Sequence, residues 1–246
     1  MPRFFADSGC FSEDGKTVLI FGDDAAHISR VLRMKPGDAL TVCDGNGRDF
    51  FTEIRSIGDT VVCDVKDTRD SLTEPPYSVT VYQALVKGDR FDTVLQKATE
   101  LGATEFVPII SSRCVVTLEK KEYEKKLARW QRIVYEASKQ CGRGKIPTVR
   151  EPMRFSDAVK EAAEASLPLF CYEGEGTKPL SHLTEECKKP ESVSVVIGPE
   201  GGFSDDEVTA ARDARMLLTG LGKRILRTET AAPFVLACIS YRYEMR

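Results

Sequence analysis

Two adjacent prolines, Pro75 and Pro76, follow Thr73-Glu74 and split the chain into stretches with different hydrophobic periods. Neither proline can donate to a backbone ladder, and each disfavours helical geometry in the residue before it, so this segment belongs to neither a helix interior nor a central strand. Ahead of it, residues 18–21, 39–43, 49–57 and 60–65 read as strands. Asp44-Gly45-Asn46-Gly47 supplies the positive φ angles of a tight hairpin turn. Residues 24–34 carry Ile28, Val31 and Leu32 at helical spacing and stop before Pro36-Gly37. The expectation is a small barrel or curled sheet with one helix, over residues 1–72.

Beyond the prolines, strands and helices alternate. Residues 79–85 are apolar and β-branched, and residues 89–101 form a helical stripe of Phe91, Val94, Leu95, Ala98 and Leu101 that Gly102 stops. A strand at 106–110 precedes a long helix at 120–141, with Tyr123, Leu127, Trp130, Val134, Ala137 and Cys141 inward. Later strands fall at 167–172, 193–197 and 216–221, with helices at 155–165, 204–214 and 234–243. Such alternation predicts a largely parallel sheet covered by helices, with ligands beyond the carboxyl ends of its strands. A chain of 246 residues exceeds the common domain size of about 100–150, so residues 73–246 are read as a second domain, one large α/β domain being the alternative.

Composition narrows the class. Hydrophobic residues at 41% and charged residues at 30% describe a globular protein, and no apolar run reaches the ~18 residues of a membrane span. The start, Met1-Pro2-Arg3-Phe4-Phe5, lacks a charged region followed by an apolar one, so the cytoplasm is the expected compartment. Eight cysteines are scattered without a CxxC pair and the two histidines, His27 and His182, lie far apart, so no metal site is expected. The net charge of −3 hides a segregation: residues 113–154 hold twelve Lys and Arg against five Glu (+7), and residues 155–215 hold six against thirteen acidic residues (−7). The basic stretch either meets phosphates or solvates one side of a helix.

Two segments carry the candidate chemistry. The strand ending at Ile197 runs into Gly198-Pro199-Glu200-Gly201-Gly202-Phe203 and then Ser204-Asp205-Asp206-Glu207, where Ser204 and Glu207 have capping-box spacing. Glycines there let backbone approach a ribose, a base edge or a phosphate, although the spacing is neither GxGxxG nor GxxxxGK[ST]. Further on, Leu221-Gly222-Lys223-Arg224-Ile225-Leu226-Arg227 leads a strand into a basic loop, with Thr228 or Thr230 as helix cap and Pro233 in the first turn. Arg227 then stands at the carboxyl edge of the sheet, either as a ligand-facing cation or as an ordinary loop charge.

Several stretches together are specific: Arg3-Phe4-Phe5, His27-Ile28-Ser29-Arg30-Val31-Leu32-Arg33, Lys87-Gly88-Asp89-Arg90 with Gln96-Lys97-Ala98-Thr99-Glu100-Leu101-Gly102, Gln140-Cys141-Gly142-Arg143, and residues 197–203 and 221–231. Through them the chain resembles the RsmE-type 16S ribosomal RNA uracil-N3 methyltransferases of the SPOUT superfamily. The resemblance implies an α/β fold in which a small β-rich PUA-like RNA-binding domain precedes a parallel-sheet domain with a C-terminal trefoil knot. It also implies a homodimer, S-adenosylmethionine as cofactor, and 16S RNA of the small ribosomal subunit as partner, with no membrane and no metal. Carried over by position, Tyr172, Glu173, Ile197, Gly198, Pro199, Glu200, Gly201, Leu221, Gly222, Ile225, Leu226 and Thr230 would hold the cofactor, the apolar ones packing on adenine.

Methylating uracil N3 requires removal of its proton, which spreads negative charge over the ring oxygens until the methyl group arrives; a cation would stabilise that charge, and Arg227 and Arg143 are the candidates. Glu200, Glu229 and Glu100 are available as bases, and proximity with electrostatics is the alternative to any of them. Arg3, Arg30, Arg33, Lys87 and Arg113 are expected to meet RNA, whose target base must be unpaired or flipped out. A ribosome-binding factor without catalysis, a nicotinamide-dependent enzyme and a related methyltransferase acting on another RNA are the rival readings, the second weakened by the missing glycine fingerprint.

Overall fold

The structure, a computed structural model, describes residues 1–116 and 120–245. They divide into two compact units: Met1–Glu74 with Ser138–Ile146, and Pro75–Ala137 with the chain from Pro147 onward. The return of Ser138–Ile146 to the first unit is a feature that one boundary at the prolines does not describe.

The first unit contains β1 (Arg3–Phe5), β2 (Thr17–Ile20), α1 (Gly22–Ala26), β3 (Ala39–Cys43), β4 (Arg48–Ile57) and β5 (Val61–Asp70). They form one sheet in the order β1-β3-β4-β5-β2, antiparallel except for β1 beside β3. The hairpin between β3 and β4 forms where the glycines call for it. Gly45 and Gly47 take φ 74° and 102°, and the Asp44 carboxylate accepts the backbone N–H groups of Asn46 and Arg48. Irregular pairing between β4 and β5 at Phe51/Thr52 and Ile54/Ser56 increases the twist and curls the sheet. Alternate residues of the strands, Val18, Ile20, Leu40, Val42, Ile54, Val61 and Cys63, close on Phe4 and Ile28.

The helix expected over residues 24–34 is corrected. After α1 the turns widen over His27–Val31, the Leu32 N–H reaching back to the His27 carbonyl, and the chain leaves through Arg33 at φ 52°. Only Ile28 of the apolar trio is buried, because the wider turn swings Val31 and Leu32 to the surface.

The second unit runs β6 (Ser78–Ala84), α2 (Arg90–Glu100), β7 (Glu105–Ile110), α3 (Lys120–Cys141, its last turn in the first unit), β8 (Thr148–Val149), β9 (Met153–Arg154), α4 (Phe155–Ala162), β10 (Leu167–Cys171), β11 (Lys178–Pro179), α5 (Leu180–Glu186), β12 (Ser192–Ile197), α6 (Asp205–Asp213), β13 (Leu217–Gly220) and α7 (Thr228–Tyr243). Its sheet is parallel throughout, in the order β11-β13-β10-β12-β6-β7-β8, with β9 also on β7. The near-continuous apolar runs of β10 and β12 fit strands buried on both faces. Phe155, Phe170 and Phe203 stack in the core, the last two rings 4.4 Å apart. The short β8, β9 and β11 and the seven-residue α5 carry too few residues to show a period. The final helix starts at Thr228, ahead of the 234–243 span and within one to three residues of the start that a cap at Thr228 or Thr230 implies, and Pro233 lies in its second turn, not its first. Among the described residues, no helix is long and apolar enough to cross a membrane.

Candidate functional site

Strands β13, β10 and β12 are neighbours and parallel, so their carboxyl ends open on the same edge of the sheet. The loops leaving them, residues 172–177, 198–204 and 221–227, enclose a cavity of about 550 Å³. Of the residues expected to hold a cofactor, Tyr172, Glu173, Ile197, Gly198, Pro199, Glu200, Leu221, Gly222, Ile225 and Leu226 line it, whereas Gly201 and Thr230 do not.

Local chemistry fixes these loops. A Cβ at Gly198 would stand 3.1 Å from the Phe203 ring, so glycine lets the chain turn tightly across the aromatic stack. Gly222 takes φ 102° at the start of the basic loop. The capping box forms as spaced, the Ser204 hydroxyl accepting from Glu207 N–H at 3.3 Å and the Glu207 carboxylate from Ser204 N–H at 2.9 Å. That carboxylate also accepts the Ser112 N–H, and the Arg113 guanidinium donates to the Gly201 carbonyl at 3.0 Å. Thr228 does not cap α7. It is the first helical residue, Arg227 holds the cap position, and the Thr228 hydroxyl donates to the Gly198 carbonyl at 2.7 Å.

The cavity wall mixes charges. Arg227 is exposed there, and among the described residues its guanidinium has no hydrogen-bond or ion-pair partner. Arg90, at the start of α2, donates to Glu200 at 2.6 Å and lies 3.9 Å from Glu229. Partial burial opposes ionisation of Glu200, but backbone donors, including Lys87 N–H, together with Arg90 outweigh it and hold the carboxyl below its ordinary range. Arg90 was not among the expected site residues; its signal was a helix-opening cation in the Lys87-Gly88-Asp89-Arg90 stretch. Glu100 pairs with Lys97 at 2.9 Å.

Arg143 lines no part of the cavity. It lies in the first unit, 3% exposed, and its guanidinium grips Glu74 at 2.6 and 3.3 Å. Arg3 is likewise engaged within that unit, 2.8 Å from Asp49 and beside the Cys43 sulfur. Arg30, Arg33, Lys87 and Arg113 are exposed. Among the described residues no His, Cys, Asp or Glu group is arranged to hold a metal ion.

Cys171 closes the cavity floor, and burial pushes its thiol up to about 12. Its neutral form is therefore kept throughout the range in which ordinary thiols, near pH 8.5, ionise. Because the folded value is raised, the stabilisation from keeping this thiol neutral is complete below the unfolded value and is lost as pH climbs toward 12. Iodoacetamide at pH 8.5 is expected to alkylate Cys171 at least about tenfold more slowly in the native protein than in denaturant, as read by peptide mass spectrometry. Equal rates would mean that the floor is open.

Similarity to known proteins extends over nearly the whole chain. The model of an RNA methyltransferase domain matches residues 73–240, and that of an RNA methyltransferase PUA domain matches residues 21–65. Ribosomal RNA small subunit methyltransferase E of Bacillus subtilis is 35% identical over 239 residues, covering 95% of this chain and 93% of that protein. The Aquifex aeolicus protein of the same name is 37% identical, covering 93% and 97%. A crystal structure of the Neisseria gonorrhoeae methyltransferase E bound to S-adenosylmethionine superposes with a TM-score of 0.84 at 32% identity, covering 98% and 97%.

Proposed function

The chain belongs to the RNA methyltransferase family and carries that family's PUA domain, and from this premise we propose that it moves a methyl group from S-adenosylmethionine to N3 of a uracil in 16S ribosomal RNA, giving 3-methyluridine and S-adenosylhomocysteine. The observation that carries the reading is the cavity at three adjacent strand ends, with an arginine on its wall that has no partner among the described residues. Its volume falls in the range of about 300–1,000 Å³ usual for small-molecule sites. Turns that present backbone amides and carbonyls beside Leu221, Ile225 and Leu226 suit a nucleoside, which needs an apolar face for its base and a few fixed polar groups at its edges.

Bound there, the cofactor supplies an electrophilic methyl group on a sulfonium. The protein's part is to hold the uracil in line and to favour loss of its N3 proton to solvent water. Arg227, on the wall of the cavity, is the cation available to the oxygens onto which the resulting charge spreads, and a positioned cation stabilises that charge. No dedicated base is assigned. Glu200 is held below its ordinary range by backbone donors and Arg90, which leaves it a poor proton acceptor, and Glu100 pairs with Lys97 and does not line the cavity. The cationic role goes to Arg227 alone, since Arg143 is neutralised by Glu74.

For RNA affinity we assign Arg30 and Arg33 of the PUA domain with Lys87 and Arg113, and leave Arg3 to Asp49. The domain limits proposed are 1–72 and 73–246, with the second domain knotted at its C-terminal end. On α7 the exposed Phe234 and Tyr241 flank Cys238 at spacings of four and three residues, an apolar stripe that supports a homodimer. The cytoplasm is the proposed compartment.

The test is to incubate the protein with labelled S-adenosylmethionine and small ribosomal subunits from cells lacking it, and to map the labelled base. Label on a position other than uracil N3 removes the specificity, and no transfer removes the function. RNA affinity should fall as salt rises, with a log–log slope of about 0.7 per phosphate contact, and Arg33→Ala should reduce that slope by about one contact. An unchanged slope would take Arg33 out of the RNA surface.

A further inference from the structure

Gln83 stands near the carboxyl end of β6, fully buried, in register with Ile197 on one side and Pro108 on the other. It does not line the cavity, yet its amide nitrogen donates to the Thr228 hydroxyl at 2.8 Å and to the Ala84 carbonyl at 3.1 Å. The Thr228 hydroxyl in turn donates to the Gly198 carbonyl at 2.7 Å. The relay therefore joins β6, the first residue of α7 and the first residue of the glycine turn, two of which line the cavity.

The direction of the relay follows from donor counting. The Ala84 carbonyl can only accept, so the amide must turn its NH₂ group that way, and the same group meets Thr228. A hydroxyl has one proton, and with Gln83 donating to its oxygen that proton goes to Gly198. The orientation leaves the Gln83 carbonyl oxygen buried with no hydrogen-bond partner among the described residues. An unpaired buried acceptor destabilises a fold, and an apolar side chain of the same size would avoid the penalty. Gln83 is thus poorly explained as a packing residue and well explained by what its nitrogen holds.

What it holds is the weak point of the glycine turn. The peptide joining Gly198 to Pro199 has no N–H, so its carbonyl is the one polar group by which hydrogen bonding can pin that peptide. We propose that Gln83 is a positioning residue of the cofactor site, setting the Gly198 carbonyl through Thr228 and with it the backbone of residues 198–202. This inference rests on the proposed function, because it takes S-adenosylmethionine as the ligand of the cavity.

Four variants test it: Gln83→Met, which removes the donor at similar volume; Gln83→Glu, whose buried carboxyl has at most one proton and cannot donate to both Thr228 and the Ala84 carbonyl; Thr228→Val; and Thr228→Ser, which keeps the hydroxyl. The readouts are the Kd for S-adenosylmethionine by calorimetry, hydrogen exchange at the Gly202 N–H, which bonds to the Pro199 carbonyl at 3.0 Å, and the melting temperature. Gln83→Met, Gln83→Glu and Thr228→Val are each expected to weaken binding about tenfold and to speed Gly202 exchange by a similar factor, as suits loss of a buried hydrogen bond. Thr228→Ser should restore both. A merely structural role would lower the melting temperature while leaving the Kd of the folded protein and the Gly202 exchange as in wild type, and that result overturns the inference. If Gln83→Met does not fold, equal Kd values for Thr228→Val and Thr228→Ser overturn it as well. Failure of the wild type to bind S-adenosylmethionine overturns the proposed function and the inference together, whereas wild-type binding with unaffected variants removes only the inference.

Discussion

Arg227→Ala is expected to reduce kcat about 10²–10³-fold, with the Kd for S-adenosylmethionine changed no more than a few-fold. The expectation follows from where the charge develops. In the ground state uracil is neutral and gains little from a nearby cation; as N3 loses its proton the ring oxygens become anionic, and an exposed guanidinium with no partner among the described residues is available to them. An interaction made mainly in the transition state lowers kcat when it is removed, whereas one made equally with bound substrate raises KM. Arg227→Lys keeps the charge but not the planar fork of donors, so it should recover only part of the rate. The deficit should also narrow as pH rises, since hydroxide then helps to remove the proton that the arginine no longer labilises. Single-turnover rates across pH decide the matter, and a rate within twofold of wild type would end the assignment of Arg227.

The parts of this fold that were legible in the sequence are those where one residue type admits one backbone solution. Gly45 and Gly47 announced a hairpin because their positive φ angles strain other residues, and Ser204 with Glu207 announced the start of α6 because only that spacing satisfies two orphan N–H groups at once. Two of the three turns around the cavity, at Gly198 and at Leu221-Gly222, are readable for a similar reason, each following an apolar strand run into glycine, whereas the turn at Tyr172-Glu173 carries no such signal and is reached through the family resemblance. Side-chain partnerships across long sequence separations were not readable. Thr228 looked like a helix cap, and nothing near it in sequence says that Gly198, thirty residues away, is its acceptor. Arg143 and Arg227 are both arginines beside a glycine-bearing loop, and only the tertiary fold gives one of them a carboxylate partner. The widened turn at His27–Val31 escaped because its apolar residues sit at ordinary helical spacing while the backbone beneath them does not keep helical pitch.

Removing the carboxylate of Glu74 is expected to destabilise the first unit by about 3–5 kcal/mol, the usual result of stranding a buried charge. Glu74 is 11% exposed and accepts four donors: two nitrogens of the Arg143 guanidinium and the backbone N–H groups of Gly144 and Lys145, each of the latter at 3.0 Å. In Glu74→Ala the arginine keeps its burial and loses the Glu74 carboxylate as ion-pair partner, and two amides of the Ser138–Ile146 segment lose their acceptor. Glu74→Gln is the sharper variant: it retains an acceptor but meets the guanidinium with a neutral amide, so it should cost less than the alanine and still more than about 1 kcal/mol. Urea unfolding followed by a probe in the first unit measures both. The decisive comparison is the double variant Glu74→Leu with Arg143→Met. If the single losses arise from an uncompensated charge, removing both charges leaves an apolar contact in place of an ion pair, and the double variant should be more stable than either Glu74→Ala or Arg143→Met alone. If instead the single losses simply add, Arg143 has found water in the variants, and Glu74 is not the counter-charge that keeps a buried cation in the first unit.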